Sequence, residues 1–108
     1  MGISYGSSEG DISSTTEEDL VPAPSAGTTR IVSSMYIHNA DTVSATVYIY
    51  LDVSSTNHKL YHIALAANET WEWAGNIVLD STKAIEIDLL GAITTNAVEF
   101  VGNYLDKS

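Results

Sequence analysis

Hydrophobic and polar residues alternate along most of the chain after Thr28, and residues 43–51 show this pattern best. Every odd position in this segment is aliphatic, whereas the even positions are serine, threonine or tyrosine. A period of two places successive side chains on opposite faces of an extended backbone, one of them buried. The segment is therefore predicted to be a half-buried β-strand.

The same alternation predicts further strands, with shorter ones at residues 70–73 and 77–79 separated by a break at Gly75 and Asn76. The apolar positions of the other runs are Ile31, Met35 and Ile37; Tyr61, Ile63 and Leu65; Ile85, Ile87 and Leu89; and Val98, Phe100 and Tyr104. Polar turn segments at 39–41, 54–57, 67–69 and 80–82 separate these runs. With no segment of helical period, residues 28–108 are predicted to form an all-β domain: a single small antiparallel β-sandwich, jelly-roll or immunoglobulin-like.

Residues 1–27 differ in composition and are predicted to form a flexible, extended acidic N-terminal arm outside the sandwich. Serine, threonine, glycine and acidic residues dominate the segment, and Pro22 and Pro24 keep its end extended. Two interpretations stay open: a solvated tail, or a strap that orders on a neighbouring subunit. The isolated apolar residues that would anchor such a strap are Ile3, Tyr5, Ile12, Leu20 and Val21.

Composition and charge narrow the classes of partner. The sequence is 44% hydrophobic and 17% charged, which is ordinary for a folded domain. Four basic residues against 14 acidic ones give a net charge of −10, which disfavours nucleic acid and anionic membranes. No apolar run approaches a transmembrane length, and the first ten residues lack the features of a secretory signal, so synthesis in the cytoplasm is expected.

No motif for catalysis or cofactor binding stands out. His58 and His62 would share a metal ion on a helix, but on the predicted strand they are separated by ~13 Å. Glu86 and Asp88 alternate with aliphatic residues, as on the solvent face of a strand, and cysteine is absent. We expect no enzyme activity, no cofactor and no metal centre, although the acidic turn at residues 39–41 leaves calcium open.

Aromatic residues are the other candidate contact points. Tyr48 and Tyr50 lie on the polar side of the best-defined strand, where they are available to a partner. Trp71 and Trp73 share one face of another strand and fit equally well in the core or against a partner.

The order of these segments resembles that of small β-sandwich virion proteins of tailed bacteriophages, especially capsid decoration (cement) proteins and related neck or tail accessories. The matching features are an opening strand at 29–39 that ends in an asparagine turn, the strand at 45–51, the segments 63–70 and 75–79, and a closing strand at 98–105. The resemblance covers about three quarters of the chain.

This resemblance implies a non-enzymatic capsid decoration protein that stabilises the shell by binding between major capsid subunits, with the arm lying over neighbours. It implies a homo-oligomer, with a trimer favoured, on the outer capsid surface or at the head–tail joint of the virion. The alternatives are a neck, tail or fibre component, or a carbohydrate-binding sandwich that uses exposed aromatic side chains.

Overall fold

The computed structural model describes residues 2–93 and 95–108, which form eight β-strands and, within those ranges, no helix. The strands are β1 (Ile3–Ile12), β2 (Glu18–Val21), β3 (Thr29–Asn39), β4 (Ala45–Val53), β5 (Thr56–Leu65), β6 (Thr70–Leu79), β7 (Lys83–Leu89) and β8 (Val98–Lys107). Nothing helical in the described ranges is long and apolar enough to span a bilayer.

The strands form two antiparallel four-stranded sheets that pack face to face. Sheet 1 has the order β1-β8-β3-β6, and sheet 2 has the order β2-β7-β4-β5. This order is that of an eight-stranded jelly roll. The predicted all-β sandwich is confirmed, and of its two alternatives the structure has the jelly-roll topology.

The N-terminal segment differs from the predicted separate arm. β1 pairs with β8 along its whole length, and β2 pairs with β7. Ile12, Leu20 and Val21 are between 0% and 1% exposed and belong to the core. A domain boundary at residue 27 is therefore wrong for these segments, because they supply one edge strand to each sheet.

Small residues explain why β1 looks like a flexible segment in the sequence. Its inward positions include Gly6 and Gly10, and a Cβ atom on either would lie 2.8 Å from the ring of Tyr104 or Phe100 of β8, respectively. Glycine is needed here because the two aromatic rings already fill the space beneath β1. The large partners are about ninety residues away in sequence, so the pattern of β1 alone does not reveal them.

The core lies between the sheets and consists of aliphatic side chains with one phenylalanine. Its members are Ile12, Leu20, Val21, Val32, Met35, Ile37, Val47, Ile49, Leu65, Leu79, Ile85, Ile87, Leu89, Val98 and Phe100. Burial of one such side chain contributes ~1.5–3 kcal/mol to stability.

A β-bulge at Ser33 changes which side chains at the start of β3 face the core, compared with the simple alternation that the sequence predicted. The register shifts between Val32 and Ser34 against both neighbouring strands: Ser33 is an extra residue relative to β8, whereas it lies opposite two residues of β6. Val32, Met35 and Ile37 are buried with 0% exposure. Ile31, which the simple alternation assigned to the core, lies on the opposite face because the bulge reverses the side-chain phase.

β6 is one continuous strand rather than two short ones. The break predicted at Gly75 and Asn76 is a local irregularity, where these two residues lie opposite the single residue Ser33 of β3. Gly75 has a packing reason as well, since a Cβ atom there would lie 2.8 Å from the ring of Trp73.

Two buried polar residues, Asn39 and Asp41, hold three loops together at one end of the sandwich. Asn39 Nδ2 donates to the carbonyl oxygens of Val43, Leu65 and Ala66 at 2.9–3.2 Å. Asn39 Oδ1 accepts from the Asp41 backbone N–H at 3.0 Å, and Asp41 Oδ1 accepts from the N–H groups of residues 95 and 96, each at 3.2 Å. The oxygens that the sequence offered to calcium therefore bind backbone groups here.

Candidate interaction surfaces

An apolar row crosses the outer face of sheet 1. Cross-strand pairing brings Tyr5 of β1 opposite Leu105 of β8, Leu105 opposite Ile31 of β3, and Ile31 opposite Val78 of β6. We call these four residues the apolar row. They share the outer face because their neighbours in each strand, such as Val32 and Leu79, point into the core.

The ends of the apolar row are strongly exposed. Tyr5 is 85% exposed and Val78 57%, and Ile3, two residues before Tyr5, is 61% exposed. Exposed apolar side chains are common singly, but an aligned set that spans a whole sheet makes this face a candidate interaction surface.

The sequence identified Tyr5, and Ile3 next to the row, as contact residues but missed the other three members of the row. A signal for Val78 is present: in Ile77-Val78-Leu79 three consecutive residues are apolar, and a strand must turn the middle one to the opposite face. Ile31 could not be found in this way, because its placement depends on the bulge at Ser33.

Tyr48 and Tyr50 lie on the outer face of sheet 2, as the alternation of β4 predicts. Their ring centroids are 6.3 Å apart with an interplanar angle of 34°, so they do not form a flat platform. His62 of β5 packs beside Tyr48 at 4.8 Å, and Lys59 Nζ lies 4.1 Å from the centre of the Tyr48 ring. Both tyrosines are half-buried by these neighbours.

Carboxylates surround Tyr50 on the same face. Burial, together with the neighbouring Asp88 carboxylate, raises the pKa of Tyr50 to about 12. Burial also raises the pKa of Asp88, although its hydrogen bond with Tyr50 opposes the shift. The Oδ1 atoms of Asp52 and Asp88 are buried and have no hydrogen-bond partner among the residues that the structure describes.

Glu86 of β7 lies at the centre of this acidic group. Burial raises its pKa to about 7, and a hydrogen bond to the Glu17 carboxyl and repulsion from Glu17, Asp52 and Asp19 add to the effect. Glu17 also accepts a hydrogen bond from the side chain of Asn57 on β5. Glu86 is therefore partly protonated at neutral pH, which lowers the negative charge of this crowded face.

Trp71 and Trp73 face inward, toward the edge of the core between β5 and β6. Both are half-buried and pack against the core cluster. Trp73 Nε1 donates to the Tyr61 hydroxyl at 2.7 Å, and the Trp71 ring lies 5.2 Å from the Tyr61 ring. Together these aromatic side chains cover the open side of the sandwich between its two edge strands.

Apart from the two tryptophans, the predicted contact residues lie in three places. Ile3 and Tyr5 are exposed on the outer face of sheet 1, while Tyr48 and Tyr50 lie on that of sheet 2. Ile12, Leu20 and Val21 are buried, so their use as surface anchors is wrong for this structure. Within residues 2–93 and 95–108, no group of three or more histidine or acidic side chains has the arrangement of a metal site.

No family model and no curated protein sequence matches the chain. Solved structures do match it. A subunit of Bacillus endospore appendages, a family of disulfide-linked pili, superposes with a TM-score of 0.58 at 13% identity, covering 98% of this chain and 88% of the other.

Two viral shell proteins are also similar. A protein of the acid-stable capsid of Helicobacter pylori bacteriophage KHP30 has a TM-score of 0.58 and 16% identity, over 96% of this chain and 86% of the other. A protein of the virus-like particle of the prawn extra small virus has a TM-score of 0.51 and 10% identity, over 100% and 81%. At these identities the likeness shows a shared fold.

Proposed function

We propose that this protein is a non-enzymatic structural subunit of a bacteriophage virion, and specifically a decoration protein on the outer surface of the capsid. The apolar row on the outer face of sheet 1 is the observation that carries the proposal. It supplies a flat, preformed surface that seats on neighbouring major capsid subunits and stabilises the contact between them.

The charge of the protein supports an outward position. With a net charge of −10, the chain is repelled by packaged nucleic acid. Carboxylates also crowd the outer face of sheet 2, opposite the apolar row. A subunit that turns sheet 1 toward the shell and sheet 2 toward solvent buries the apolar row and keeps the carboxylates in water.

The mode of attachment differs from a strap. Residues 3–12 and 18–21 are strands of the jelly roll, so the protein binds through a rigid sheet face. The fold is shared with a pilus subunit, but the cysteines that a disulfide-linked pilus requires are absent from this sequence. Many copies on one shell make weak individual contacts sufficient.

The test is the position of the protein on virus particles produced by the culture that carries the coding sequence. Immunogold labelling with an antibody against the purified protein should mark the whole capsid surface of intact, filled particles. Particles stripped of the protein should recover the label when the wild-type chain is added back, but not when Tyr5→Lys is added. Ala64→Lys, which introduces lysine at an exposed site on sheet 2, should restore it.

Label confined to the neck, tail or fibres would replace the decoration role by that of an accessory at that site. Absence from particles would overturn the virion role altogether.

A carbohydrate-binding module is the second candidate, and the face with Tyr48 and Tyr50 favours it. Aromatic rings beside carboxylate acceptors are the groups that bind sugar rings and hydroxyls. A glycan array with the purified protein tests this function. Binding that is lost in Tyr48→Ala and retained in Tyr5→Lys would support it; absence of binding to every glycan would remove it.

A further inference from the structure

β1 is an edge strand with an unusually regular free side. It pairs with β8 over ten consecutive residues without a register shift, from Ile3 opposite Lys107 to Ile12 opposite Val98. It contains neither proline nor a basic residue. An exposed strand of this length offers a row of unpaired backbone groups to a further strand.

The other three edges of the two sheets carry features that oppose strand addition. β2 has only four residues, contains a bulge and is followed by Pro22. β5 has a bulge at Leu60 next to Lys59, and β6 is irregular at Gly75 and Asn76. Short strands, bulges, proline and charged side chains, lysine above all, protect the edges of natural sheets. β1 is long and has no bulge, proline or lysine, and its charged residues, Glu9 and Asp11, lie only in its second half.

The hydrogen bonds of β1 show which of its backbone groups are free. The Ser108 N–H donates to the Gly2 carbonyl at 3.1 Å, so Gly2 faces β8. Backbone groups alternate in direction along a strand, and therefore Ile3, Tyr5 and Ser7 direct their N–H and C=O groups away from β8. The same residues direct their side chains to the outer face of sheet 1.

We propose that two copies of this chain pair through β1 in antiparallel orientation, about a two-fold axis at Tyr5, to form one continuous eight-stranded sheet. In this register Tyr5 lies opposite Tyr5 of the second copy, and Ile3 lies opposite Ser7. Each pair exchanges two N–H···O=C hydrogen bonds, since these groups face the free edge in both copies.

Charge and polarity disfavour registers whose axis lies at Ser7 or Glu9. An axis at Ser7 would place Tyr5 opposite Glu9 and Ile3 opposite Asp11, and an axis at Glu9 would place two carboxylates side by side. With the axis at Tyr5, the two Glu9 side chains are about 26 Å apart. In this register, extension of the ladder beyond the pair of Ile3 and Ser7 would bring the Glu9 carboxylate opposite an apolar side chain.

Pairing at Tyr5 also joins the two apolar rows end to end. A two-fold axis normal to the sheet keeps both outer faces on the same side, so the dimer presents one band across eight strands. The pairing is independent of the proposed attachment to a capsid. If that attachment is correct, the dimer binds the shell through two equal sites, which increases its avidity.

Single cysteines test the register directly, because the natural sequence contains none. Cα atoms of a hydrogen-bonded antiparallel pair are ~5.5 Å apart, within the range that a disulfide spans. We expect Tyr5→Cys to form a covalent dimer under mild oxidation. The matched control is Glu9→Cys, exposed on the same strand, which should form little covalent dimer because the two Glu9 positions lie far apart in this register. Equal cross-linking of both variants, or of Glu9→Cys alone, would overturn the proposal.

Light scattering supplies a second measurement without any cross-link. The wild-type chain should have the mass of a dimer and Ser7→Pro that of a monomer, because proline removes an N–H from the free edge while the ladder to β8 stays intact. Glu72→Pro on β6 is the control and should stay dimeric. The Glu69 carbonyl faces β3, and because backbone groups alternate in direction along a strand, the Glu72 N–H faces away from β3, just as the Ser7 N–H faces away from β8. A monomeric wild-type chain, or an unchanged mass for Ser7→Pro, would refute the pairing. Neither experiment uses virus particles, so this result is separate from that of the capsid test.

Discussion

Gly102 of β8 and Val21 of β2 contact each other across the sandwich: a Cβ atom on Gly102 would lie only 2.4 Å from Cγ2 of Val21. The two residues belong to different sheets, and Val21 is 0% exposed. The contact joins the N-terminal segment to the closing strand, and it leaves no room for a methyl group.

Gly102→Ala should therefore destabilise the fold, because the added methyl group overpacks this contact at a cost of ~1–3 kcal/mol. Urea denaturation followed by tryptophan fluorescence measures the change. Val21→Ala makes space for the new methyl, so the double variant should be more stable than the sum of the two single effects predicts. Strict additivity would show that the two side chains do not compete for the same space.

Removal of the N-terminal segment should unfold the protein. A chain that begins at Thr28 lacks three core residues (Ile12, Leu20 and Val21) and exposes the edges of β7 and β8. Leu20→Ala alone should cost ~2–5 kcal/mol. Circular dichroism and urea denaturation test both changes, with Leu90→Ala, an exposed leucine, as the control. A cooperative transition of the shortened chain at the wild-type midpoint would contradict the integration of β1 and β2 into the core.

Glu86 should make stability depend on pH near neutrality. Its pKa is about 7 in the folded protein against 4.5 for an ordinary glutamate side chain, so the folded state binds the proton more tightly. The corresponding stability is fully present below the unfolded pKa and is lost as the pH rises through about 7. Glu86→Gln should flatten the decline in urea midpoint between about pH 5 and pH 8. Glu99→Gln, an exposed carboxyl on β8, should leave the decline as in the wild type; equal slopes in all three proteins would rule out Glu86 as the source.

Asn39 should be intolerant of even an isosteric change. Asn39→Asp replaces an amide that donates to three carbonyl oxygens by a buried carboxylate facing them. Loss of these donors and burial of an unpaired charge should cost ~3–5 kcal/mol or more. Asn76→Asp, at an exposed position of β6, is the control. Similar urea midpoints for the two variants would show that the Asn39 side chain does not hold the loops.

Substitutions in the turn of the hairpin between β4 and β5 should stabilise the protein. Ser54 and Ser55 form its two-residue turn, with φ angles of 51° and 72°. These angles are those of a type I′ turn, for which Asn-Gly is the preferred pair. Ser54→Asn combined with Ser55→Gly should raise stability by ~1 kcal/mol, because serine is strained in this region. Ser81→Gly, in a turn without a positive φ angle, should give no gain in thermal midpoint; an equal gain there would exclude the turn geometry as the cause.

The period-two alternation of the sequence by itself determined most of the strands of this protein. The alternation of β3, β4, β5, β7 and β8 identified their strands, and their polar turns placed the boundaries close to where the structure has them. The outward position of Tyr48 and Tyr50 followed from β4 alone. These features depend on local side-chain direction and burial, which a period of two encodes directly.

Tertiary packing decided the rest. β1 is a strand because Tyr104 and Phe100 fill the space that its glycines leave, and neither partner is near it in sequence. The bulge at Ser33 turns Ile31 to the outside, where it joins Tyr5, Leu105 and Val78 in the apolar row. Strand pairing between residues up to a hundred positions apart creates this surface, so no local pattern in the sequence contains it.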